Sequence, residues 1–403
     1  MFDNPRNVIV LTALWGGLMV AISVTGFVIW FAAMRPSSEE GGAPPSPPPQ
    51  SIARLDVAQI QAMGLGILPP VPLPADNPLT AEKAELGKML FFDRRMSGNG
   101  LVSCVTCHAP TKGWGDGNAL SLGYPGNLHW RNSQTIINSV YLQKLFWAGE
   151  STSLESQAKS AFTGNLAGNL DTVMAEERLR QIPEYVRRFN EVFGTGAPSF
   201  DNMLRAVAAF EATITSRNVP FDNYMLGDDS ALSDQDLRGL ELFTGKAGCL
   251  QCHAGPLFTD ESFHNVGVPP HPDFEVDSLR QIAFRYQHRA RGVPEELYRS
   301  ADRDLGLFYT TKEEGDRGRF RTPPLRELGQ TGPYMHNGVF DTLEEVVRFY
   351  NAGGGDDPNK SDMLRNLGLA DEEIGDLVAF LESLTGDDII VQPSDMPEYA
   401  VLP

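Results

Sequence analysis

The stretch GLVSCVTCHAPTKGWGDG (residues 100–117) contains two cysteines three positions apart, and a histidine follows the second cysteine immediately. The same arrangement returns in KAGCLQCHAGPLF (residues 246–258). The chain has 4 cysteines, and all of them belong to these two motifs. A C-x-x-C pair alone occurs in redox dithiols and as half of a zinc site. The histidine that follows both pairs therefore has to be explained together with the cysteines.

Both motifs match the attachment sequence of haem c. In C-x-x-C-H, the two thiols form thioethers with the vinyl groups of one haem, and the histidine is an axial ligand of the iron. A zinc site would require the two pairs to converge, although each pair already has its own adjacent histidine. We therefore predict two covalently bound haem c groups. The residues that hold them are Cys104, Cys107 and His108 in the first haem motif and Cys249, Cys252 and His253 in the second.

The sequence around the two motifs also repeats. ELGKMLFFDRR precedes the first motif and LRGLELFTGK precedes the second, and each places a glycine inside an apolar helical pattern that ends in phenylalanine. Amphipathic helices are predicted later in each repeat, over residues 201–214 and 371–386. No run of alternating apolar and polar residues predicts a sheet. The predicted fold is all-α, with two tandem cytochrome c-like domains over residues 79–228 and 229–390 and a tail over residues 391–403.

The N-terminus has a different composition from the rest of the chain. Residues 8–34 contain no charged side chain. A helix of about 20 apolar residues crosses a bilayer, whereas a secretory signal has an apolar core of about 7–15 residues. We predict an uncleaved transmembrane anchor within residues 1–34. A Pro/Gly/Ser-rich spacer over residues 35–78 follows, because such a composition cannot bury enough surface to fold.

The predicted location follows from the cofactor. Haem c is attached on the outer side of the bacterial inner membrane, so we expect a single-pass protein with a cytoplasmic N-terminus and a periplasmic body. The net charge of −19 argues against nucleic acid as a partner and is compatible with a cationic protein surface.

Beyond the haem motifs, the chain resembles the bacterial dihaem cytochrome c peroxidases and the related MauG-like enzymes. The resemblance extends over residues 79–386. Its motifs are LFFDRRMS, RNSQTIINSVY, FWAG, PFDNY, RTPPLREL and TGPYMHNGVFDTLEEVV, in the family's order. It implies that the first haem is the reaction site, with His108 as its proximal ligand, and that the second haem transfers electrons. It also implies that the protein is able to form a homodimer.

The second axial ligand of the C-terminal haem is predicted from FDTLEEVVRFYNAGGG (residues 340–355). Thr342 and Glu345 form a capping box that starts a helix, and the apolar stripe of this helix includes Tyr350. The peroxidases carry a methionine ligand at the equivalent position, and the MauG-like enzymes carry a tyrosine. We therefore predict Tyr350 as the ligand. The alternative is a core tyrosine that hydrogen-bonds to a propionate, with Met335 or Met363 as the ligand.

Four further positions receive roles from the resemblance alone. Trp147, in FWAG, matches a tryptophan that relays charge between the haems, or is an aromatic side chain that fills the interface. Gln157 matches a glutamine of the distal pocket. Tyr124 stands where the peroxidases have a blocking loop histidine, so no reductive activation is expected. His129 is a second candidate for a distal ligand, although a surface-loop histidine is the simpler interpretation.

The distal pocket also departs from the family pattern. Ala167 occupies the position of a distal glutamate, and Ala161 replaces a proline. Cleavage of an O–O bond needs a group that transfers a proton, and its loss costs about 10²–10⁴-fold in rate. Either another group takes this role, or peroxide is not the fast substrate. The candidates are Asn165, Asn169, Gln157 and an ordered water.

The resemblance further implies a calcium ion between the domains. Its ligands would be Asn132 and the carbonyl oxygens of Thr331 and Pro333, an oxygen-only set that suits Ca²⁺. Residues 271–304 are interpreted as an insertion that contains six arginines, nearly balanced by acidic residues. We expect a solvated helical hairpin there. The alternatives are a docking site for an acidic partner and a cover over a haem edge.

Three functions are compatible with the sequence. The first is a peroxidase that reduces hydrogen peroxide, through a haem in a high oxidation state, with electrons from a small periplasmic cytochrome or cupredoxin. The second is a MauG-like enzyme that oxidises tryptophan or tyrosine side chains of a partner protein, which Tyr350 and Tyr124 favour. The third is a non-catalytic electron carrier, which Ala167 favours.

Overall fold

The computed structural model describes residues 55–124, 126 and 128–400. The predicted transmembrane anchor lies outside these residues. Among the residues that are described, no helix is both long enough and apolar enough to span a membrane.

The described chain is helical, apart from one pair of two-residue strands. The α-helices are α1 Val57–Ala62, α2 Ala81–Phe92, α3 Cys104–Cys107, α4 Leu154–Thr163, α5 Thr172–Arg180, α6 Pro183–Phe193, α7 Phe200–Glu211, α8 Pro220–Met225, α9 Asp234–Thr244, α10 Pro272–Val276, α11 Ser278–Ala290, α12 Glu295–Ser300, α13 Phe308–Thr311, α14 Leu343–Asn351 and α15 Asp371–Glu382. Short 3-10 helices cover Arg94–Met96, Pro110–Lys112, Ser139–Tyr141, Cys249–Gln251, Glu314–Asp316 and Leu328–Gln330. Strands β1 (Phe263–His264) and β2 (Phe320–Arg321) pair in antiparallel orientation. The predicted all-α class is therefore confirmed.

The N-terminal half, residues 79–228, is built on the crossing of α2 and α7. Gly87 makes this crossing close, because a Cβ atom at this position would lie 1.9 Å from the carbonyl oxygen of Ala206. Phe91 and Phe210 meet beside the crossing with ring centroids 5.2 Å apart. The cluster of buried apolar side chains around this contact includes residues from Leu86 to Ile214, together with Ile389 near the end of the chain.

The C-terminal half, residues 229–390, repeats the same crossing with α9 and α15. A Cβ atom on Gly239 would lie 2.0 Å from the carbonyl oxygen of Asp376. Phe243 and Phe380 meet with ring centroids 5.2 Å apart, as the corresponding pair does in the N-terminal half. The internal repeat in the sequence thus corresponds to the same helix crossing and the same phenylalanine pair in both halves. The boundary between residues 228 and 229 stays a prediction.

Part of the predicted spacer is folded onto the body. Helix α1 begins with a capping box between Asp56 and Gln59. Ile60 and Leu65 are buried in the apolar cluster of the C-terminal half. This differs from the expected solvated segment, because two apolar side chains are enough to hold a short helix against an existing core.

The residues after 390 pack back onto the N-terminal half. Arg95 donates a hydrogen bond of 2.7 Å to the carbonyl oxygen of Pro397, and the backbone N–H of Ala400 donates one of 2.9 Å to that of Gln181. The Arg95 guanidinium also lies 5.2 Å from the ring centroid of Tyr399. The predicted tail is therefore attached along its described part.

The insertion at residues 271–304 is not a solvated hairpin. It forms α10, α11 and α12, which build a third apolar cluster together with Trp130 and Leu166. Phe284 contacts the Trp130 ring edge-on, with centroids 5.6 Å apart. The expectation failed because the arginines obscured the apolar face of α11. The alternative in which the insertion covers a haem edge stays a prediction.

Candidate haem-binding sites

Both haem motifs line one large cavity, of about 630 Å³. The N-terminal half contributes the first motif, the loop at Ser121–Gly123 and the inner face of α4. The C-terminal half contributes the second motif and the inner faces of α14 and α15. The two predicted cofactor positions therefore face a common interior space.

The first motif is held so that its histidine presents one ring nitrogen. Helix α3 spans the two cysteines, and the His108 Nδ1 atom lies 3.1 Å from the carbonyl oxygen of Trp114. Trp114 is fully buried with φ of 59°, a conformation that turns its carbonyl toward the histidine. A backbone carbonyl on one ring nitrogen fixes the tautomer and leaves Nε2 to bind a metal.

The second motif repeats this arrangement. The His253 Nδ1 atom lies 2.9 Å from the carbonyl oxygen of Phe258, which is also fully buried and has φ of 56°. Sequence reasoning missed Trp114 and Phe258 as orienting residues. The available signal was a buried aromatic residue five or six positions after each histidine.

The cysteines fit haem attachment better than zinc binding. All four are free thiols, and burial raises the pKa of Cys107 to about 11 and that of Cys249 to about 12. A structural zinc site needs four converging ligands, such as four cysteines or two cysteines and two histidines. Within the described residues, the one group of possible metal ligands is Cys252, Asp260 and His264, which contains a single cysteine of the second motif and no residue of the first. Free thiols, oriented imidazoles and an apolar cavity together fit two haem c groups.

Tyr350 faces the cavity beside the second motif. Helix α14 begins with the predicted capping box, and its stripe of Leu343, Val346, Val347 and Tyr350 lines the cavity. Burial, and then the nearby thiols of the second motif, raises the pKa of Tyr350 well above its usual range. A tyrosine must lose its proton to bind a metal. Met335 and Met363 also line the cavity, so the ligand assignment stays a prediction.

The distal candidates separate clearly. Gln157, Ala161 and Ala167 all line the cavity, as the resemblance predicted for these positions. Asn165 and Asn169 are exposed and are not among its lining residues. Asn165 instead donates a hydrogen bond to the Tyr286 hydroxyl of the insertion. Among the three side chains proposed to replace the distal glutamate, which are Gln157, Asn165 and Asn169, only Gln157 lines the cavity.

His129 is not a surface-loop histidine. It lines the cavity, and its Nε2 atom lies 2.9 Å from the carbonyl oxygen of Leu166. Burial lowers the pKa of His129. Tyr124 belongs to the same loop, where its backbone N–H donates 3.0 Å to the same carbonyl oxygen. His129 therefore connects this loop to the distal segment at residues 164–168.

Trp147 lies where the two halves meet. Its indole N–H donates a hydrogen bond of 2.9 Å to the carbonyl oxygen of Asn132, and its ring contacts His336 with centroids 6.4 Å apart. Its own carbonyl accepts 3.0 Å from the backbone N–H of Arg321. The residue lines the shared cavity, which is the position that a relay between two haems requires. That role stays a prediction.

The three predicted calcium ligands also line the cavity. The side-chain N–H of Asn132 donates a hydrogen bond of 2.8 Å to the carbonyl oxygen of Asn118, so the side-chain oxygen of Asn132 stays available to a cation. Its backbone N–H donates 2.7 Å to the carbonyl oxygen of His336. This bond brings it to the segment that contains Thr331 and Pro333. The donor set is compatible with Ca²⁺, and the ion itself stays a prediction.

A buried ionic cluster beside the cavity was not predicted. Arg131 pairs with Asp304 at 2.6 Å and with Glu150 at 3.2 Å. Burial alone would raise the pKa of Asp304, but the charge and hydrogen bonds of Arg131 hold it well below its usual range. The cluster connects the end of the insertion to the N-terminal half. These residues are 173 positions apart, and no local pattern identifies such a pair.

Comparison with known proteins decides the family. The family model for the di-haem cytochrome c peroxidases matches residues 81–230. The cytochrome-c peroxidase IdrP1 of Denitromonas iodatirespirans is 56% identical over 323 residues, which are 80% of this chain and 86% of that protein. The chain belongs to the dihaem cytochrome c peroxidase family. As a member of this family it is a haem-peroxidase-type oxidoreductase, and the family implies haem c as its cofactor.

The chain is similar both to peroxidases and to MauG-like proteins of this family. The methylamine utilization protein MauG of Methylorubrum extorquens is 36% identical over 330 residues, covering 81% of this chain and 85% of that protein. A solved structure of a MauG-like protein associated with microbial copper homeostasis has a TM-score of 0.68 and 30% identity, covering 81% of this chain and 95% of that one. The diheme peroxidase BthA of Burkholderia thailandensis has a TM-score of 0.59 and 22% identity, which shows the shared fold alone.

Proposed function

We propose that this protein is a membrane-anchored periplasmic peroxidase, which reduces hydrogen peroxide with electrons from a small cytochrome or cupredoxin. The observation that carries the proposal is the shared cavity, because both haem motifs and Trp147 line it. Trp147 would then relay electrons that enter at one motif to the other. The 56% identical relative named a cytochrome-c peroxidase supports the same substrate.

The chain's own residues prepare the cavity for this reaction. The haem groups that the two motifs would hold would supply redox-active iron. The carbonyl groups of Trp114 and Phe258 orient His108 and His253 toward the cavity. Gln157 offers an amide N–H to a peroxide oxygen from the inner face of α4. Reduction of one peroxide to two waters consumes two electrons and two protons, so the cavity also needs a route for protons.

The direct test is a peroxide titration of the purified, haem-loaded chain, followed by visible absorption. Stoichiometric peroxide is expected to change the spectrum of the oxidised protein. Peroxide-dependent oxidation of a reduced small cytochrome is then expected in the steady state. A spectrum that ignores stoichiometric peroxide would contradict the proposal and leave the electron carrier as the remaining function.

A MauG-like activity is the second candidate, because Tyr350 lines the cavity beside the second motif. A phenolate is an anionic donor and would favour high oxidation states of the iron. Such an enzyme would oxidise a tryptophan or tyrosine of a partner protein. Mass spectrometry of proteins encoded nearby, co-expressed with and without this chain, distinguishes the two activities. Fast cytochrome oxidation without any modified protein favours the peroxidase.

The proposed location rests on residues 8–34. Their uncharged, apolar sequence is long enough for a transmembrane helix. The full chain is expected in the membrane fraction, resistant to carbonate extraction, and a chain in which a cleavable secretory signal replaces residues 1–34 is expected in the soluble periplasmic fraction. Recovery of the full chain as a soluble protein would contradict the anchor.

A further inference from the structure

The two halves differ at one position that faces the cavity. Helix α2 crosses α7 where Gly87 meets Ala206, and α9 crosses α15 in the same way where Gly239 meets Asp376. Five residues after each crossing point on α7 and α15 are Glu211 and Leu381. Both line the cavity, so a carboxyl group in the first site takes the place of an apolar side chain in the second.

Glu211 is an unusual residue for that wall. It is 4% exposed and lines the cavity, and its carboxyl group forms no ion pair with a basic side chain among the described residues. The groups that interact with it electrostatically are Glu155 on α4 and the Cys104 thiol on α3. No cation is among them. A buried carboxylate without a partner is costly, so such a group keeps its proton.

Its protonation follows from this environment. Burial, and then the like charge of Glu155, raises the pKa of Glu211 to about 8. The carboxyl group therefore titrates close to neutral pH, and a positive charge beside it would favour the carboxylate. A change of one charge nearby is enough to move such a group across its pKa.

We propose that Glu211 is the proton-holding group of the first haem site. When an electron from the donor protein reduces the haem that the first motif would hold, the Glu211 carboxylate would take up one proton from the solvent. When the iron is oxidised again, the carboxyl group releases that proton toward the cavity, where peroxide reduction consumes protons. The inference rests on the proposed function for the fate of the proton, and on the predicted first haem for its coupling.

The physical reason is the charge of the iron. An oxidised iron carries one more positive charge than a reduced one, and a positive charge stabilises a carboxylate. Reduction of the iron therefore raises the pKa of Glu211. The midpoint potential of the first haem falls as the pH rises from the Glu211 pKa of the oxidised protein to that of the reduced protein. Leu381 has no proton to exchange, so this side chain adds no such dependence to the second haem.

The test measures the midpoint potentials of both haems against pH, by spectroelectrochemistry on the haem-loaded full chain. In the wild type, the potential of one haem is expected to fall with pH near neutrality. Glu211→Gln is expected to lose that dependence and to lose a carboxyl band from the reduced-minus-oxidised infrared spectrum. Equal pH dependence in the wild type and in E211Q would overturn the proposal.

Two further variants keep the result interpretable. Leu381→Gln places the same amide at the equivalent position of the second half and is expected to retain the pH dependence; its loss would indicate repacking and overturn the proposal. Glu155→Gln retains an oxygen to accept the hydrogen bond of Asn77 but removes the like charge. In this variant, the pH range over which the midpoint potential changes is expected to move to lower pH. The same range as in the wild type would contradict the role of Glu211. Because no peroxide is present, an inactive enzyme would contradict the proposed function while leaving this result intact.

Discussion

At the scale of single residues, the two haem motifs depend on partners that the motif itself does not include. The C-x-x-C-H pattern predicted which side chains hold the cofactors. It did not predict the carbonyl groups of Trp114 and Phe258, because a carbonyl direction follows from a local backbone conformation with positive φ. Gln157 was identified only by resemblance, and Arg131 with Asp304 was not identified at all. Sequence patterns find chemistry that is local in the chain and miss pairs that folding brings together.

Tyr350 is testable at this scale. Tyr350→Phe removes the phenol oxygen and is expected to abolish the low-spin signal of one haem in electron paramagnetic resonance and visible spectra. Tyr334→Phe is the matched control, because Tyr334 lines the same cavity and its hydroxyl donates a hydrogen bond of 2.8 Å to the Leu328 carbonyl. An unchanged spectrum in Y350F would show that Tyr350 is not the ligand. Met335 and Met363 would then be substituted next.

The buried pair of Arg131 and Asp304 predicts a stability effect. Asp304→Asn leaves Arg131 with only Glu150, and breaking a buried pair lowers the free energy of unfolding by about 3 kcal/mol. Glu295→Gln breaks an exposed pair with Arg299 and is expected to cost less than about 1 kcal/mol. Urea unfolding of both variants checks the difference. Equal effects would contradict the role of the buried pair.

The same pair gives a pH dependence of known sign. The pKa of Asp304 is lowered in the folded protein, so its contribution to stability is complete above the ordinary aspartate pKa of about 3.9. The contribution is lost as the pH falls from there through the folded-state pKa. D304N is expected to lack this part of the acid sensitivity. Unfolding midpoints measured between neutral and acidic pH check it against the wild type.

At the scale of elements, the helix that carries Tyr350 was predicted well, whereas the packing of α1 and α11 was not. Helix α14 begins at the capping box that the sequence indicated. Helix α1 also has a capping box, but its proline-rich surroundings concealed it. In α11, the apolar residues Ala283 and Phe284 stand among arginines, so the buried face was not apparent. These two errors concern tertiary packing, which overrides local composition.

Two glycines in helices are expected to respond oppositely to the same substitution. Gly87→Ala places a Cβ atom against the backbone of α7 and is expected to cost about 1–3 kcal/mol or more, because neither backbone is able to move freely. Gly375→Ala lies on α15, where the nearest atom would be 3.8 Å away. It is expected to stabilise the helix by about 0.5–1 kcal/mol. Thermal unfolding of the two variants checks the signs, and a tolerated G87A would contradict the close crossing.

At the scale of the whole molecule, the two halves contribute jointly to one interior. Asn132 from the N-terminal half and the segment with Thr331 and Pro333 from the C-terminal half line the same cavity. A calcium ion held by both would connect them. The sequence could predict this arrangement only through the family resemblance, since carbonyl ligands leave no signature in the side chains.

Chelation tests the calcium prediction. Dialysis against a calcium chelator is expected to lower the thermal midpoint and to change the visible spectrum, and added Ca²⁺ is expected to restore both. Mg²⁺ at the same concentration is the control, because it prefers a smaller octahedral site with several waters. Metal analysis of the purified chain that finds no calcium, together with an unchanged midpoint, would contradict the site.

The end of the chain has a consequence for the order of synthesis. The indole N–H of Trp114 donates 2.8 Å to the carbonyl oxygen of Ile389, and Ile389 is buried in the apolar cluster of the N-terminal half. The residue that orients His108 therefore finds its own support only after nearly the whole polypeptide has emerged from the ribosome. An N-terminal half expressed by itself would lack this support, whereas a fragment that carried residues 387–400 on a short added loop would recover it.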